Sequence, residues 1–231
     1  MISIIFFGYN EEKFIKQSVL NLVENISHKN FEIIIVNDGS SDKTKDEIDK
    51  IFIEGIKVTK INKLKNQGIA RAVYDGLSLA QGELVSWLPS DGAYDSNSLG
   101  KFFDTCMSTD HDLFIGYRGN KKERVFFRFF LSEFLTFVLN LIFLKKIKDY
   151  NGVISVKKKL LKKIILPNHP SFQWVIIMQL LKNKVKNLEI PVKMTIPEPG
   201  DGSSSINIKT YFSYLLSLLK LIQIILFKKN D

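Results

Sequence analysis

Short apolar runs alternate with amphipathic segments along the first part of the chain. The apolar runs predict strands over Ile2–Phe7, Phe31–Val36, Lys57–Ile61 and Leu84–Leu88. The intervening segments place apolar residues at helical spacing and predict helices over Asn10–Ile26, Thr44–Phe52 and Gly68–Ala80. Four βα-type units in a row indicate an α/β fold with a wound, mainly parallel sheet.

Two of these helices carry signals at their starts. Asn10 is predicted to cap the first helix, with Glu11 and Glu12 in its first turn, where they suit the helix dipole. Thr44 and Glu47 have the spacing of a capping box at the start of the second helix.

The second part of the chain predicts a different mixture of elements. Its strands are expected over Asp112–Tyr117 and Gly152–Val156, its helices over Lys157–Ile165 and Ser171–Lys182, and an extended segment over Val185–Met194. A loop rich in Pro, Gly and Ser follows over Thr195–Ser205. We therefore divide the chain into residues 1–115, 116–205 and 206–231.

Two further segments are nearly all apolar. Val125–Leu144 carries a narrow polar stripe of Arg128, Ser132, Thr136 and Asn140, and Tyr211–Phe227 has a similar stripe. Lys and Arg residues flank both. Their lengths approach the ~20 residues of a membrane span, but helices lying in the membrane interface fit the charged positions better. The alternative is that both are core helices of a soluble protein.

The net charge of the chain limits the classes of partner that we expect it to bind. The formal net charge is +9, which suits nucleic acid, an anionic membrane surface or phosphorylated ligands. The basic residues flank apolar helices and form no basic groove with interleaved aromatic residues, so nucleic acid is not expected as a partner. A single cysteine, Cys106, fits a reducing compartment. The first residues predict a strand and not a signal peptide.

Three polar clusters follow predicted strands. They are Tyr9-Asn10-Glu11, Asn37-Asp38-Gly39 and Ser90-Asp91-Gly92. The carboxyl ends of parallel strands share one edge of a sheet, so these clusters should converge there. Their oxygen ligands favour Mg²⁺ or Mn²⁺, which in proteins commonly also bind substrate phosphates. Asp38 and Asp91 could instead be ordinary turn residues.

In order and spacing, these motifs resemble those of family 2 glycosyltransferases of the GT-A fold. The matching segments are Gly8-Tyr9-Asn10-Glu11, Asn37-Asp38-Gly39-Ser40-Ser41-Asp42, Asn66-Gln67-Gly68-Ile69-Ala70-Arg71-Ala72 and Pro89-Ser90-Asp91. The resemblance implies a nucleotide diphosphate sugar as donor. Its binding residues would be Tyr9, Asn10, Glu11, Asp38, Gly39, Asn66, Gly68, Arg71 and Ser90. Asp91 would hold the metal and carry catalysis.

The remainder resembles dolichol-phosphate mannose synthase-like enzymes, which transfer sugar to polyprenyl phosphates. By that resemblance Arg118, Arg128 and Ser132 would bind the acceptor phosphate, and Asp149-Tyr150-Asn151-Gly152-Val153 matches a further family element. The expected location is the cytoplasmic face of a membrane, with peripheral or monotopic attachment. The oligomeric state is left open.

The chain departs from the family at several positions. Asn37 and Pro89 replace Asp residues, and an Arg near Gly202 is missing. The helix on which the family often places a general base reads Ser171-Phe172-Gln173-Trp174, without a carboxylate. Two alternatives therefore stand beside the leading one: transfer to a sugar hydroxyl in polysaccharide synthesis, which requires a base, and a catalytically silent membrane-associated protein that binds nucleotide sugars.

Overall fold

A seven-stranded, mainly parallel sheet organises the protein. The computed structural model describes residues 1–120 and 126–195, with only the helical backbone described for residues 126–131. The strands are β1 (Ile2–Gly8), β2 (Phe31–Asn37), β3 (Val58–Asn62), β4 (Leu84–Pro89), β5 (Leu113–Arg118), β6 (Ile154–Lys157) and β7 (Asn187–Val192). The spatial order is β3-β2-β1-β4-β6-β5-β7.

The helices occupy both faces of this sheet. They are α1 (Ile15–Asn25), α2 (Thr44–Asp49), α3 (Ile69–Leu79), α4 (Ser96–Ser108), α5 (Phe126–Phe143), α6 (Lys158–Leu161) and α7 (Phe172–Lys182). Alternate residues of a strand point to opposite faces. Ile33 and Ile35 therefore pack with α1, α2 and α4, while Ile34 and Val36 pack with α3 and α7.

One strand runs against the others. Strand β6 lies between β4 and β5 and is antiparallel to both, whereas β1–β4 pair in parallel and β5 pairs in parallel with β7. The segment that enters β6 consequently lies at the edge where β4 and β5 end. Residues 149–153 thus reach the same edge as the predicted donor cluster. Strand β5 crosses position 115, and the predicted division of the chain there stays a prediction.

The four strands and three helices predicted for the first part are confirmed, but two predicted helix starts differ. Asn10 does not cap α1: its φ is +58°, and its Oδ1 accepts from the N–H of Ser41 instead. The predicted capping box at Thr44 is wrong, because Asp42 Oδ1 accepts from the N–H of Thr44 at 3.0 Å.

Helix α4 is absent from the sequence-based prediction. Asp95 caps it, since its Oδ1 accepts from the N–H of Ser98 at 2.8 Å. The apolar residues Leu99, Phe102 and Cys106 follow at helical spacing and are buried.

The polar stripe of α5 faces the protein at its described side chains. Ser132 and Thr136 are buried, and the side-chain amide of Asn140 bonds both the N–H and the C=O of Ile147, at 3.0 and 2.8 Å. The opposite face carries Phe134 and Phe137, which are 50% and 63% exposed, and Leu141 is similar at 64%. In its described part, α5 thus buries Leu135 and Leu139 together with its polar residues and exposes large apolar side chains on its outer side.

Among the helices of the described residues, none combines the length and the apolar character needed to cross a membrane. The second predicted apolar helix, within 206–231, lies outside the described residues, as does the Gly202 loop.

Candidate active site

The three predicted polar clusters meet at one edge of the sheet. Strands β2, β1 and β4 are neighbours, and Gly8 pairs with Asn37 while Phe7 pairs with Pro89. Just beyond these pairs, the N–H of Asp38 donates to the C=O of Gly8 at 2.9 Å. The predicted convergence at the carboxyl ends of the strands is confirmed.

The turn after β1 is joined to the turn after β2. The N–H of Asn10 donates to Ser40 Oγ at 2.9 Å, and the N–H of Glu11 donates to Thr44 Oγ1 at 2.7 Å. The left-handed backbone at Asn10, a conformation that Asn tolerates better than most residues, permits this close approach. Tyr9 stays 46% exposed at the rim, where its ring can contact a ligand.

Asp38 is buried and holds the loop that leads into α3. Its carboxylate accepts from the N–H of Gln67 at 3.1 Å and from the N–H of Gly68 at 2.8 Å. Lys63 Nζ lies 2.6 Å from Asp38 Oδ1 and 3.2 Å from Asp75 Oδ2. Asp38 therefore fixes the wall of the site, and its predicted contact with the nucleoside stays a prediction.

The other donor-side residues form this same wall. Gly39 has φ +75°, and a Cβ there would lie 2.3 Å from the backbone of Lys65, so only glycine fits. Asn66 is exposed, and its Oδ1 accepts from the N–H of Gly68 at 3.1 Å. Arg71 is exposed on α3 and pairs with Asp75 at 2.9 Å.

Two carboxyl groups beside β1 and β4, those of Glu11 and Asp91, have raised pKa values. Burial raises the pKa of Glu11 to about 7, and the negative charges of Asp91 and Asp42 add to the rise. Asp91 has access to solvent, but many protein atoms lie around its carboxyl group. The resulting desolvation raises the pKa of this carboxyl, whereas the hydrogen bond that it accepts from the N–H of Ala93 lowers it. Ser90 is fully buried and donates to the C=O of Phe7 at 3.0 Å.

This pair provides a donor set that a divalent cation could use. The negative charge of Asp91 contributes to the raised pKa of Glu11, so a nearby cation would favour the ionised form of both groups. Mg²⁺ commonly binds one or two carboxylates together with substrate phosphates, and Glu11 and Asp91 supply oxygen atoms of that type. In the described part of the chain, no group of three or more His, Cys, Asp or Glu side chains is arranged to hold a metal by itself. Asp95 is committed to capping α4.

A buried ion pair lies at the end of β5. Arg118 Nε lies 2.5 Å from Asp149 Oδ2, and its Nη2 donates to Asp149 Oδ1 at 2.9 Å and to Ser132 Oγ at 2.8 Å. The structure therefore brings together two of the three residues predicted to bind the acceptor phosphate. It gives Arg118 a role in joining α5 to the segment before β6. Arg128 belongs to α5, but its side chain is outside the described part.

A cavity of about 190 Å³ lies between the donor-side polar residues and the Arg118–Asp149 ion pair, and it was not predicted from the sequence. Trp87, Tyr94, Phe172 and Trp174 line it together with Gln173. The sequence pattern places Trp87 in a strand, and it distinguishes Gln173 only as a residue that is not a carboxylate. The position of Gln173 at the start of a helix that follows a Pro-containing loop was the available signal.

The relationship to known proteins agrees with this geometry. The family model described as "Glycosyl transferase family 2" matches residues 3–182. The chain belongs to glycosyl transferase family 2. Curated family 2 relatives include a dolichol-phosphate mannosyltransferase of Pyrococcus furiosus, which is 25% identical over 230 residues, covering 96% of this chain and 64% of the relative. A dolichyl-phosphate beta-glucosyltransferase of Trichomonas vaginalis is 34% identical over 144 residues, covering 57% of this chain and 45% of the relative.

Solved glycosyltransferase structures share the fold. A mannosyltransferase from Pyrobaculum calidifontis in complex with GDP-Man and Mn²⁺ has a TM-score of 0.69 at 14% identity, over 95% of this chain and 64% of that one. Glucosyl-3-phosphoglycerate synthase from Mycobacterium tuberculosis, with Mn²⁺, UDP and phosphoglyceric acid, has a TM-score of 0.67 at 13% identity, over 96% and 78%. The predicted GT-A fold is confirmed. The chain spans 40% of the length of an uncharacterized glycosyltransferase of Haemophilus influenzae and 64% of the length of the Pyrococcus enzyme.

Proposed function

We propose that this family 2 protein transfers a sugar from a nucleotide diphosphate sugar to a polyprenyl phosphate at a membrane surface, with inversion at the anomeric carbon. The observation that carries the proposal is the position of α5. Its inner polar face contacts Arg118 at the active edge of the sheet, and its outer face exposes Phe134, Phe137 and Leu141. An acceptor with a phosphate head and a long apolar chain requires such an arrangement.

The donor is assigned to the edge formed by β2, β1 and β4. The nucleoside would lie between exposed Tyr9 and the wall that Asp38 fixes, and the diphosphate would lie beside Asp91. Glu11 and Asp91 would hold a Mg²⁺ or Mn²⁺ ion, which as a Lewis acid stabilises the charge of the departing diphosphate. The Pyrobaculum mannosyltransferase and the Mycobacterium synthase are both known in complex with Mn²⁺ and a nucleotide ligand, which supports this assignment.

The acceptor side needs no general base. A phosphate monoester is already anionic at neutral pH, so its oxygen can attack the anomeric carbon without losing a proton, whereas a sugar hydroxyl needs a base. At the helix start where a base is expected, the amide of Gln173 accepts one hydrogen bond and donates two. This supports the phosphate acceptor over the hydroxyl alternative. Several relatives named for polyprenyl phosphates support it as well.

The outer face of α5 is proposed to lie on the membrane. Its apolar residues would enter the interface, while Lys145, Lys146 and Lys148 just beyond the helix suit anionic lipid headgroups. The negative charge of the cytoplasmic leaflet fits the expected location there.

The deciding experiment is a donor screen. Radiolabelled nucleotide sugars are incubated with the protein and a membrane lipid extract, with and without Mn²⁺ or Mg²⁺, and label in the organic phase is counted. We expect one donor to label lipid, and Asp91→Ala to reduce that transfer by at least 100-fold, on the order of the 10²–10³ loss for a removed electrostatic contact. Asp95→Ala is the matched control, because that carboxylate four residues away caps α4 and should cost stability only.

Three outcomes would contradict the proposal. Unchanged transfer by Asp91→Ala would remove the assigned role of that residue. Donor binding without transfer to any acceptor would favour the catalytically silent alternative, and label appearing only on water-soluble glycan would favour a hydroxyl acceptor.

A further inference from the structure

The cavity between the donor-side residues and the Arg118–Asp149 ion pair has a lining that favours one kind of ligand. It lies between the ends of β1 and β4, the segment Asn151–Val153 and the start of α7. Five aromatic side chains line it: Phe7, Trp87, Tyr94, Phe172 and Trp174. Among its described lining residues there is no Lys, Arg, Asp or Glu. Pockets of this composition take ligands with large apolar faces and use few polar groups to orient them.

The cavity adjoins the place assigned to the diphosphate. Pro89 and Tyr94, which both line it, flank Asp91 in the chain. Ile69, which also lines it, directly follows Gly68 at the start of α3. A group attached to a diphosphate beside Asp91 is therefore adjacent to the cavity.

Gln173 fixes the shape of this cavity. Its Oε1 accepts from Trp87 Nε1 at 3.0 Å, and its Nε2 donates to the C=O of Tyr150 at 3.1 Å and to the C=O of Gly152 at 2.7 Å. The next residue, Trp174, donates from its ring to Asn151 Oδ1. One helix turn thus holds the segment before β6 against β4.

That segment has little freedom to move elsewhere. A Cβ on Gly152 would lie 1.6 Å from the C=O of Gly116, so its backbone presses directly on β5. The N–H of Asn151 donates to Asp149 Oδ1 at 2.9 Å, and Asp149 in turn holds Arg118. The cavity wall and the acceptor-side ion pair are consequently parts of one hydrogen-bonded unit.

We propose that this cavity receives the sugar ring of the donor, that it selects neutral hexoses over uronic acid sugars, and that Gln173 is the positioning residue that sets its wall. The inference rests on the proposed function for the identity of the donor. A pyranose ring has apolar faces that pack on aromatic rings. The carboxylate of a uronic acid would be desolvated there without a positive side chain among the described lining residues, which is unfavourable.

The two tryptophans of the chain, Trp87 and Trp174, both line the cavity and serve as a probe. Tryptophan emission is followed while the 231-residue chain is titrated with UDP, GDP, and their glucose, mannose and glucuronic acid conjugates. We expect neutral hexose conjugates to change the emission beyond the bare diphosphate. We also expect the uronic acid conjugate of the same nucleotide to bind at least tenfold more weakly.

The role of Gln173 is tested with Gln173→Met, which keeps side-chain length but removes the three hydrogen bonds. We expect the Kd of the nucleotide hexose to rise at least tenfold while the Kd of the bare diphosphate stays unchanged. Gln179→Met on the same helix is the matched control, because it breaks two bonds to Ile165 at 2.9 and 2.8 Å away from the cavity. Gln179→Met should leave the Kd of the nucleotide hexose and the Kd of the bare diphosphate unchanged. If Gln173→Met only destabilised the fold, both Kd values would rise together.

The outcomes separate this inference from the proposed function. Equal binding of neutral and uronic acid conjugates, or identical emission changes with bare diphosphate, would overturn the inference. Failure of every diphosphate to bind would overturn both. Sugar-dependent emission without transfer to lipid would contradict only the proposed acceptor, since binding and emission need no lipid.

Discussion

Replacing Asp149 by Asn removes the carboxylate that Arg118 contacts inside the protein. The side chains of Arg118 and Asp149 are 6% and 0% exposed, so water cannot readily replace the lost interaction. The isosteric change keeps an oxygen for the N–H of Asn151 but turns two charge-assisted hydrogen bonds into weaker or repulsive contacts.

The size of the effect follows from these contacts. Hydrogen bonds to charged groups contribute about 1.5–3 kcal/mol each, so two of them give about 3–6 kcal/mol. Breaking a buried ion pair by removing one partner costs about 3–5 kcal/mol, in agreement. For a chain of this size, 1 kcal/mol corresponds to about 2–4 °C in Tm. We therefore expect Asp149→Asn to lower Tm by about 6–20 °C.

Thermal unfolding followed by circular dichroism measures this shift. Asp49→Asn is the control, because Asp49 pairs with Lys45 at 3.2 Å on the surface, with side chains 48% and 61% exposed. Such a pair contributes about 0.5 kcal/mol or less. Combining Asp149→Asn with Arg118→Met should restore part of the loss, because the uncompensated charge is removed with it. A Tm of Asp149→Asn within about 2 °C of the wild type would refute a buried, dry ion pair.

Two further predictions concern other parts of the molecule. Phe137→Glu should weaken the binding of the protein to anionic phosphatidylglycerol vesicles at least tenfold, as measured by co-sedimentation. The control is Phe52→Glu, at a site that lies beyond α2 and is 82% exposed, and it should not weaken this binding. Equal effects of the two substitutions would refute membrane contact through α5. Burial by itself would raise the pKa of Glu32, but bonds from Ser3 Oγ and the N–H of Gln81 outweigh it and hold the pKa below 4.5. Glu32 therefore stabilises the fold above pH 4.5, and this contribution disappears as the pH falls through its folded-state pKa. The stability difference between wild type and Glu32→Gln in urea should accordingly shrink from pH 6 to pH 3, and a constant difference would contradict this.

Much of the donor side could be predicted from the sequence because its signals are local. Strand β2 is buried along its whole length, and its segment Ile33–Val36 is recognisable in the sequence as a continuous apolar run. The polar residues that follow β1, β2 and β4 converge because parallel strands end at one edge of the sheet. The location of Asp38 and Asp91 at this edge was therefore predictable from the sequence. The cap at Asn10 was wrong because long-range bonds to Ser40 and Ser41 compete with the local helix signal.

The acceptor side depends on contacts between distant residues. Arg118 and Asp149 are 31 positions apart, and Trp87 and Gln173 are 86 apart, so no local pattern reveals either pair. The polar stripe of α5 was visible in the sequence, but which side faces the protein depends on its partners Arg118 and Ile147. The strand order, with β6 between β4 and β5, also follows from packing and not from any single segment.

The place of β6 in the sheet has a consequence for synthesis on the ribosome. In the described sheet the neighbours of β5 are β6 and β7, and both are made after it. The 41 positions between Leu113 and Ile154 take about 2–8 s at 5–20 residues per second. During that interval β1–β4 can already pair, while β5 and the edge of β4 lack their common neighbour, the four-residue strand β6. The nascent chain is therefore most open to wrong strand pairing, and to help from chaperones, just before β6 emerges.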